Sequence, residues 1–211
     1  LLKKRKKYFI PHDLFTPQTI VDVGANTGMA SAYFRSIWPL ARIFAIEPAE
    51  INFRILTKNA REFGNMELIK AALGEVDGMA TLVGSKTDNG SLSLKSNQHN
   101  PDYVEEVSMR TLQSIVKQYQ IERIDLLKLD CEGAEHDILF NLPDEILCNI
   151  QWIVGEFHGV KNDFQLLAKL NDCFCIDGCK MLHGEAWKFH AVNRKLLLKI
   201  GSNWNIKALQ W

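Results

Sequence analysis

The chain has 211 residues, which is enough for one domain with a full hydrophobic core. It is 46% hydrophobic and 24% charged, as ordinary globular proteins are, and its formal net charge of zero provides no field that would attract nucleic acid. No apolar run approaches the ~20 residues of a membrane-spanning helix, and we expect no signal peptide. These features predict a single cytoplasmic domain over residues 1–211, with a leading segment 1–17, a core 18–193 and a C-terminal tail 194–211.

The cysteines do not suggest a metal centre. Their number, five, is odd, and without a secretory signal it predicts reduced thiols. Cys173, Cys175, Cys179 and His183 are candidate zinc ligands, but their spacing differs from that of paired zinc knuckles. Cys173 and Cys175 instead alternate with large apolar residues, which is typical of one face of a strand. The sequence therefore predicts no metal site among them.

A strand that runs into a glycine loop is the most informative stretch of the first half. A β-branched apolar run predicts a strand at about 19–23, and an amphipathic helix pattern follows the loop Gly24-Ala25-Asn26-Thr27-Gly28. Thr27 is the predicted N-cap of that helix. The unpaired N–H groups at a helix start attract an anion, either a phosphate or the carboxylate of an amino-acid-like cofactor.

The spacing of the glycines bears on which cofactor this loop binds. A dinucleotide fingerprint that begins at Gly24 would need glycines at positions 26 and 29, and these positions hold Asn26 and Met29. The loop therefore disfavours a nicotinamide-dependent oxidoreductase, which is the competing enzyme class on a sheet of this kind.

The next two predicted strands add groups that suit a nucleoside. The strand at 42–46 ends in Glu47, whose carboxylate can accept hydrogen bonds from both hydroxyls of a ribose. Pro48 then begins a predicted helix. A third strand over 66–73 carries small residues at its end, and Ala72 there would let a flat adenine ring approach the backbone.

Residues 74–110 differ in character from the rest of the chain. Glycines punctuate short strand-like pieces near 80–83, 91–94 and 105–109, which predicts a small β excursion either over the site or at the edge of the sheet. The polar tract 96–100 inside it is either a lid or a simple surface loop.

The second half of the chain carries the acidic residues and the histidine that are candidates for the chemistry. A predicted strand near 124–129 runs into Asp130, Glu132 and Glu135, and a helix is expected from about Ala134. The strand predicted at 150–158 ends with Glu156 and His158, which alternate and therefore point the same way. A helix at 163–171 and an antiparallel pair, from segments near 172–177 and 187–193, complete the predicted elements.

Several stretches together resemble the FkbM family of methyltransferases. They are Val-Asp-Val-Gly-Ala-Asn-Thr-Gly at 21–28, Ile-Glu-Pro at 46–48, Leu-Lys-Leu-Asp-Cys-Glu-Gly-Ala-Glu at 127–135, Thr-Leu at 111–112 and Glu-Phe-His at 156–158. The resemblance covers roughly residues 18–193. It implies the Rossmann-like α/β fold of class I methyltransferases, a seven-stranded sheet with helices on both faces, in which six strands are parallel and the last is antiparallel. It also implies S-adenosyl-L-methionine as methyl donor and, as acceptor, a hydroxyl of a sugar or secondary metabolite.

On this resemblance the glycine loop receives the donor's carboxylate, Glu47 its ribose, and Pro48 and Ala72 its adenine. Asp130 then lies near the methionine ammonium or the reacting centre. The predicted donor-binding residues are Asp22, Gly24, Ala25, Asn26, Gly28, Glu47, Pro48, Ala72 and Asp130.

A hydroxyl acceptor needs a group that takes its proton. His158 is the first candidate because a neutral imidazole is available near pH 7, Asp130 is the second, and Glu156 is expected to orient them. Alternatively, the carboxylates at 130, 132 and 156 hold a divalent cation that makes the acceptor more acidic. The intact set of acids and histidine argues against a non-catalytic binding subunit. The expected partner is a small-molecule or glycan acceptor, and homo-oligomer formation stays open.

Overall fold

A computed structural model describes residues 10, 14–85, 88–94, 101–158, 164–181 and 186–200. In chain order the elements are β1 (Thr19–Val23), α1 (Met29–Ile37), β2 (Arg42–Ile46), α2 (Glu50–Phe63), β3 (Met66–Ile69), β4 (Ala72–Leu73), β5 (Gly78–Ser85), β6 (Asp88–Ser93), β7 (Tyr103–Arg110), α3 (Leu112–Gln118), β8 (Leu126–Leu129), α4 (Glu135–Phe140), α5 (Asp144–Leu147), β9 (Trp152–His158), α6 (Phe164–Cys173), β10 (Phe174–Met181), β11 (Ala186–Asn193) and α7 (Arg194–Ile200).

A seven-stranded sheet with the order β10-β11-β9-β8-β1-β2-β3 forms the centre of the molecule. Strands β3, β2, β1, β8 and β9 are parallel, β11 is antiparallel to β9, and β10 is antiparallel to β11. Six strands therefore run in one direction and β11 runs against them, which confirms the predicted fold class. The carboxyl ends of β1, β2, β8 and β9 meet at one edge, where ligands bind in open α/β sheets.

Both faces of this sheet are covered, which is why its strands are almost continuously apolar. Ile20 packs into a cluster with Phe34 of α1 and Trp152 of β9 on one face. Val21, the next residue of β1, packs on the other face in a cluster that includes Ile115 of α3. Four of these five side chains, all but Val21, are large, so β1 is tightly packed beneath the loop that follows it.

The third strand is shorter than the predicted range of 66–73. Strand β3 ends at Ile69, and Ala72 and Leu73 form the separate strand β4, which pairs with Met109 and Arg110 of β7. The chain leaves the sheet there because the amide of Ala71 turns back to the carbonyl of Ile69, at 3.2 Å.

The predicted β excursion is present as a second sheet with the order β4-β7-β5-β6. Its strands are longer than the patterns indicated, since β5 and β7 pair antiparallel from Gly78 opposite Met109 to Gly84 opposite Tyr103. The polar tract 96–100 lies outside the described residues. The predicted antiparallel pair near the C-terminus is confirmed as β10 and β11.

Two of the cysteines depart from the expectation of reduced thiols. Cys148, which follows α5, and Cys173, which ends α6, form a disulfide. Their Cα atoms are 5.4 Å apart although 25 residues separate them in sequence, a proximity that only the tertiary fold creates. Cys131 and Cys175 carry free thiols, while the side chain of Cys179 and all of His183 lie outside the described residues.

No helix within the described part of the chain is long and apolar enough to cross a membrane.

Candidate active site

The glycine loop has a left-handed backbone at every second residue. Gly24, Asn26 and Gly28 have φ values of 69°, 51° and 87°. A Cβ at Gly24 would lie 1.9 Å from the carbonyl oxygen of Asp130, so no larger residue fits there. Asparagine tolerates the left-handed region better than other residues with a side chain, which explains how Asn26 occupies a position where glycine would be expected.

The start of α1 differs from the prediction. Gly28, and not Thr27, is the N-cap of α1, and no side chain caps the helix. The amide of Thr27 instead donates to Oδ1 of Asn26 at 2.7 Å, and its carbonyl accepts from Nδ2 of Asn59 at 2.8 Å. The loop is therefore ordered by its own asparagine and by α2, and the helix end keeps unpaired N–H groups.

A buried lysine stabilises the glycine loop through hydrogen bonds to its backbone. Nζ of Lys128, in β8, donates to the carbonyls of Gly24 at 2.7 Å and Val23 at 3.1 Å and lies 3.0 Å from Oδ1 of Asp22. Burial alone would lower the pKa of Lys128, but the carboxylates of Asp22 and Asp130 outweigh it and raise that pKa, so the ammonium stays charged. A lysine inside the apolar run Leu-Leu-Lys-Leu was a signal that the sequence interpretation missed.

Asp22 belongs to this support and not to the surface of the site. It is fully buried, and its Oδ2 accepts a hydrogen bond from Oγ of Ser31 at 2.6 Å. Ala25 and Gly28 also lie behind the loop surface, where the amide of Ala25 donates to the carbonyl of Ile46 and the amide of Gly28 to that of Ala25. Asp22, Ala25 and Gly28 thus help to order the loop, and their contact with the donor stays a prediction.

Glu47 lies where β2 ends, and it is 5% exposed. Its oxygens accept from the amides of Asn26 at 2.9 Å and Ala49 at 3.0 Å and from Nδ2 of Asn52 at 3.3 Å. A carboxylate has about four lone-pair positions, so roughly one is left for a ribose hydroxyl, where we expected two. Burial raises the pKa of Glu47, and its three hydrogen bonds partly oppose that shift. Asn52, on α2, was not predicted.

A cleft opens beside the loop at the carboxyl edge of the sheet. The predicted residues that line it are Gly24, Asn26, Glu47, Pro48, Ala72 and Asp130. Leu82 of β5 and Leu92 of β6 also line it, as does Leu94. The second sheet therefore covers the site and does not merely extend the sheet edge. Leu82 packs in one cluster with Ala72, and Leu92 and Leu94 pack against that cluster, so this end of the cleft is apolar.

The acidic residues meet where this cleft ends. Asp130 and Glu132 line the cleft, and Glu132 and Gly133 turn the chain with φ values of 56° and 108°. Oγ of Ser93 donates to the carbonyl of Glu132 at 2.6 Å, so the second sheet also holds this turn. We call the group formed by Asp130, Glu132, Glu135, Glu156 and His158 the acidic edge.

His158 is fixed through one ring nitrogen. Nδ1 lies 3.0 Å from Oε1 of Glu135, whose carboxylate is 1% exposed and also accepts from the amides of Cys131 and Gly133. Nε2 faces Oε2 of Glu132 at 3.7 Å and Oε2 of Glu156 at 3.9 Å. Glu135 was recognised as part of the acidic cluster but not as the group that orients His158.

The charge of His158 differs from our expectation. Burial lowers its pKa, but the hydrogen bond to Glu135 and the charges of Glu135, Glu132 and Asp130 raise it more, to about 9. At pH 7 the imidazole in this structure is therefore protonated, and the neutral form that we expected is not the favoured one. The structure thus brings Asp130, Glu156 and His158 together as predicted, while their catalytic roles stay predictions.

The sheet order, the glycine loop and the acid that follows β2 define a Rossmann-like class I methyltransferase. A profile of the methyltransferase FkbM domain matches residues 22–196, and the chain belongs to this family. Family membership confirms the predicted methyl donor, S-adenosyl-L-methionine. It also removes the nicotinamide-dependent oxidoreductase from consideration.

Three curated proteins are similar in sequence. Methyltransferase 1 of Beauveria bassiana is 31% identical over 175 residues, covering 73% of this chain and 68% of that protein. Methyltransferase sdnD of Sordaria araneosa is 27% identical over 157 residues, covering 60% of this chain and 61% of that protein. AMB antimetabolite synthetase AmbE of Pseudomonas aeruginosa is 29% identical over 175 residues, which are 66% of this chain but 8% of AmbE. The chain therefore spans only part of the length of each relative.

Solved structures agree in fold. TrmK of M. capricolum, solved in complex with S-adenosyl-homocysteine, superposes with a TM-score of 0.52 at 14% identity, covering 87% of this chain and 66% of TrmK. An rRNA methylase of Streptococcus thermophilus superposes with a TM-score of 0.51 at 10% identity, covering 86% of this chain and 93% of that one. At these identities the likeness establishes the fold alone.

Proposed function

We propose that this chain transfers the methyl group of S-adenosyl-L-methionine to a hydroxyl oxygen of a sugar or secondary metabolite. One observation carries the proposal: Asp130 lines the donor cleft and also belongs to the group of Asp130, Glu156 and His158, whose ligand atoms lie within 4.8 Å of one another. A set of acid and base groups thus begins where the donor cleft ends. An alcohol, whose pKa is high, needs such a set in order to lose its proton.

We expect the donor to lie along this cleft. The N–H groups of the glycine loop suit a carboxylate, the remaining lone pair of Glu47 suits a ribose hydroxyl, and the apolar end at Ala72 and Leu92 suits adenine. The donor supplies a methyl group on a sulfonium, which is already activated. The protein therefore has to align the acceptor with it, within about 3–3.5 Å, and to exclude water.

The acidic edge performs the proton chemistry. A carboxylate of this edge accepts the hydroxyl proton as the acceptor oxygen attacks. His158, a cation held in place by Glu135, keeps the surrounding carboxylates from repelling one another. Glu156, only 8% exposed and 3.9 Å from Nε2 of His158, is placed to orient the acceptor rather than to exchange protons with solvent.

The similarity to AmbE, an antimetabolite synthetase, supports a small metabolite as acceptor. The formal net charge of zero supports this as well, because a nucleic-acid acceptor would favour a strongly basic surface.

Transfer of a labelled methyl group to a panel of acceptors tests the proposal. The panel pairs each sugar or polyketide alcohol with the amine that replaces the same hydroxyl. We expect label in the alcohols and little in the amines, because the carboxylates of the acidic edge favour the protonated amine, which has no lone pair to attack the methyl group. The exposed-acid variant Glu145→Gln serves as control and should match the wild type. Labelling of amines alone would contradict the proposal.

A further inference from the structure

The close approach of two strands brings Asp130 and Glu156 together. Leu129 of β8 lies opposite Gly155 of β9, and a Cβ at Gly155 would lie 1.9 Å from the carbonyl oxygen of Leu129. Because Gly155 has no side chain, the strands can close, and the carboxylates that follow on each strand lie side by side. His158, two residues further along β9, extends from the same face as Glu156.

The imidazole of His158 has the orientation of a metal-binding histidine. One nitrogen, Nδ1, is engaged by the buried carboxylate of Glu135 at 3.0 Å. The other, Nε2, faces carboxylate oxygens of Glu132 and Glu156 at 3.7 and 3.9 Å, which is beyond hydrogen-bond distance. Histidines that bind metals almost always donate their second N–H to a carboxylate in this way. Ligands that each lie about 2.0–2.2 Å from one ion are themselves roughly 3–4 Å apart, and the 3.9 Å between Nε2 and Glu156 lies in this range. The ligand atoms of Asp130, Glu156 and His158 all lie within 4.8 Å of one another.

Negative charges outnumber positive charges around the imidazole of His158. Four carboxylates converge on it, from Asp130, Glu132, Glu135 and Glu156. The ammonium of Lys128 lies below them, but it is paired with Asp22 and with two carbonyls of the glycine loop. A divalent cation would displace the proton from Nε2 of His158 and balance this excess of negative charge.

We propose that Asp130, Glu156 and His158 bind a divalent cation of the manganese class, which in turn binds the acceptor hydroxyl; the proposal rests on the proposed function. Two carboxylates with one imidazole and open positions suit an ion that accepts oxygen and nitrogen ligands and keeps water or substrate in its shell. The sequence had led us to expect no metal, with a cation on the carboxylates at 130, 132 and 156 as the alternative. The geometry replaces Glu132 by His158 in that set.

The cation makes the acceptor more acidic and so supplies what a neutral imidazole would otherwise provide. The hydroxyl proton goes to Glu132, which is partly exposed and can pass it to water. The bond between the acceptor oxygen and the methyl carbon forms as the bond between that carbon and sulfur breaks. S-adenosylhomocysteine leaves without charge on sulfur, so no oxidant or further reactant is needed.

Binding of Mn²⁺, followed by electron paramagnetic resonance, tests the site without an acceptor. We expect one Mn²⁺ per wild-type chain, and binding weaker by about 100-fold or more in Asp130→Asn and His158→Ala. Glu135→Gln preserves the shape of the side chain but removes the charge that orients His158. It should therefore weaken Mn²⁺ binding by roughly 10–100-fold. Glu145→Gln, which removes an exposed acid far from the edge, should bind as the wild type does.

Titration with S-adenosylhomocysteine on the same samples shows which variants are folded and separates the two proposals. Wild-type protein that binds S-adenosylhomocysteine but no Mn²⁺ overturns the cation site, as does binding that Asp130→Asn and Glu156→Gln leave unchanged. Methyl transfer that continues at full rate after chelation also overturns it and leaves the proposed function standing. Mn²⁺ binding that depends on these residues, in a protein that methylates no alcohol, upholds the site and rejects the proposed acceptor.

Discussion

The donor half and the acceptor half of the site are built in different ways. The donor half rests on backbone conformation, since Gly24, Asn26 and Gly28 are left-handed and Lys128 fixes the carbonyls beneath them. The acceptor half rests on charged side chains from separate elements. Glu135 lies on α4 and His158 on β9, and their distance of 3.0 Å sets the state of the imidazole. Shape therefore controls donor binding, whereas the balance of charge controls the acceptor side.

The largest effect on donor affinity is expected from Gly24→Ala, which disturbs the backbone of the donor half. The new Cβ would meet the carbonyl of Asp130, and the residue would have to keep a φ of 69°. A distortion that costs about 3 kcal/mol weakens binding of S-adenosylhomocysteine by roughly 100-fold, as calorimetry would measure. Gly64→Ala is the matched control, because Gly64 also has a positive φ but its Cβ would meet nothing within 4 Å. Equal loss of binding in both variants would contradict this explanation.

Lys128→Met should have the next largest effect, on stability as well as on the donor. Removing the ammonium leaves the fully buried Asp22 without its ion pair, which typically costs about 3–5 kcal/mol of unfolding free energy. Chemical denaturation measures this cost, and the double variant with Asp22→Asn should recover part of it. Lys169→Met, which removes a lysine that also donates to two carbonyls but lies away from the site, is the control. No recovery in the double variant would contradict the ion-pair account.

Acid should destabilise the central sheet through His190. Burial lowers the pKa of His190 to about 3, and its Nδ1 accepts from Nε1 of Trp152 at 3.2 Å. The unfolded chain binds a proton at this residue below about pH 6.5, while the folded chain does not until about pH 3. The contribution of neutral His190 to the free energy of unfolding is thus fully present above pH 6.5, and it falls as the pH drops towards 3.

The variant His190→Gln keeps an acceptor for Trp152 but cannot be protonated. Its unfolding free energy should fall less between pH 7 and pH 4 than that of the wild type, as thermal or chemical unfolding would measure. The same pH slope in both proteins would remove His190 from this account, and any acid effect would then belong to the carboxylates of the site.

Asn26→Gly should change the donor half least. Glycine adopts a φ of 51° freely, and the hydrogen bond from the Thr27 amide to the side chain is lost. Affinity for S-adenosylhomocysteine should stay within about 3-fold of the wild type, whereas Asn26→Ala should cost about 1 kcal/mol more, or roughly 5-fold. An alanine variant that binds as well as the glycine variant would show that the left-handed conformation is unimportant here.

The two halves also differ in how far the sequence predicts them. The glycine loop and Glu47 come from local patterns, because a strand, a turn and a helix leave their signature in neighbouring residues. The arrangement of the seven-stranded sheet comes from the resemblance to the family. The pairing of Ala72 with β7 and the disulfide between Cys148 and Cys173 arise from contacts between distant residues, which no local pattern contains.

The charge of His158 was mispredicted for the same reason. Its neighbours in sequence do not reveal Glu135, 23 residues earlier, and the carboxylates that gather around the ring determine its pKa. The ion pair of Asp22 with Lys128 was likewise not predicted, since Lys128 lies on another strand. Positions were therefore predictable from the sequence where backbone conformation decides, and charge states were not.

The most direct test of the division between the two halves is His158→Ala, with donor affinity and methyl transfer measured side by side. The account predicts that affinity for S-adenosylhomocysteine stays within about 2-fold of the wild type, because His158 contacts the acidic edge and not the loop. It predicts that turnover with an alcohol acceptor falls by about 10²–10⁴-fold. Turnover at the wild-type rate, or a loss of donor affinity equal to the loss of turnover, would contradict it.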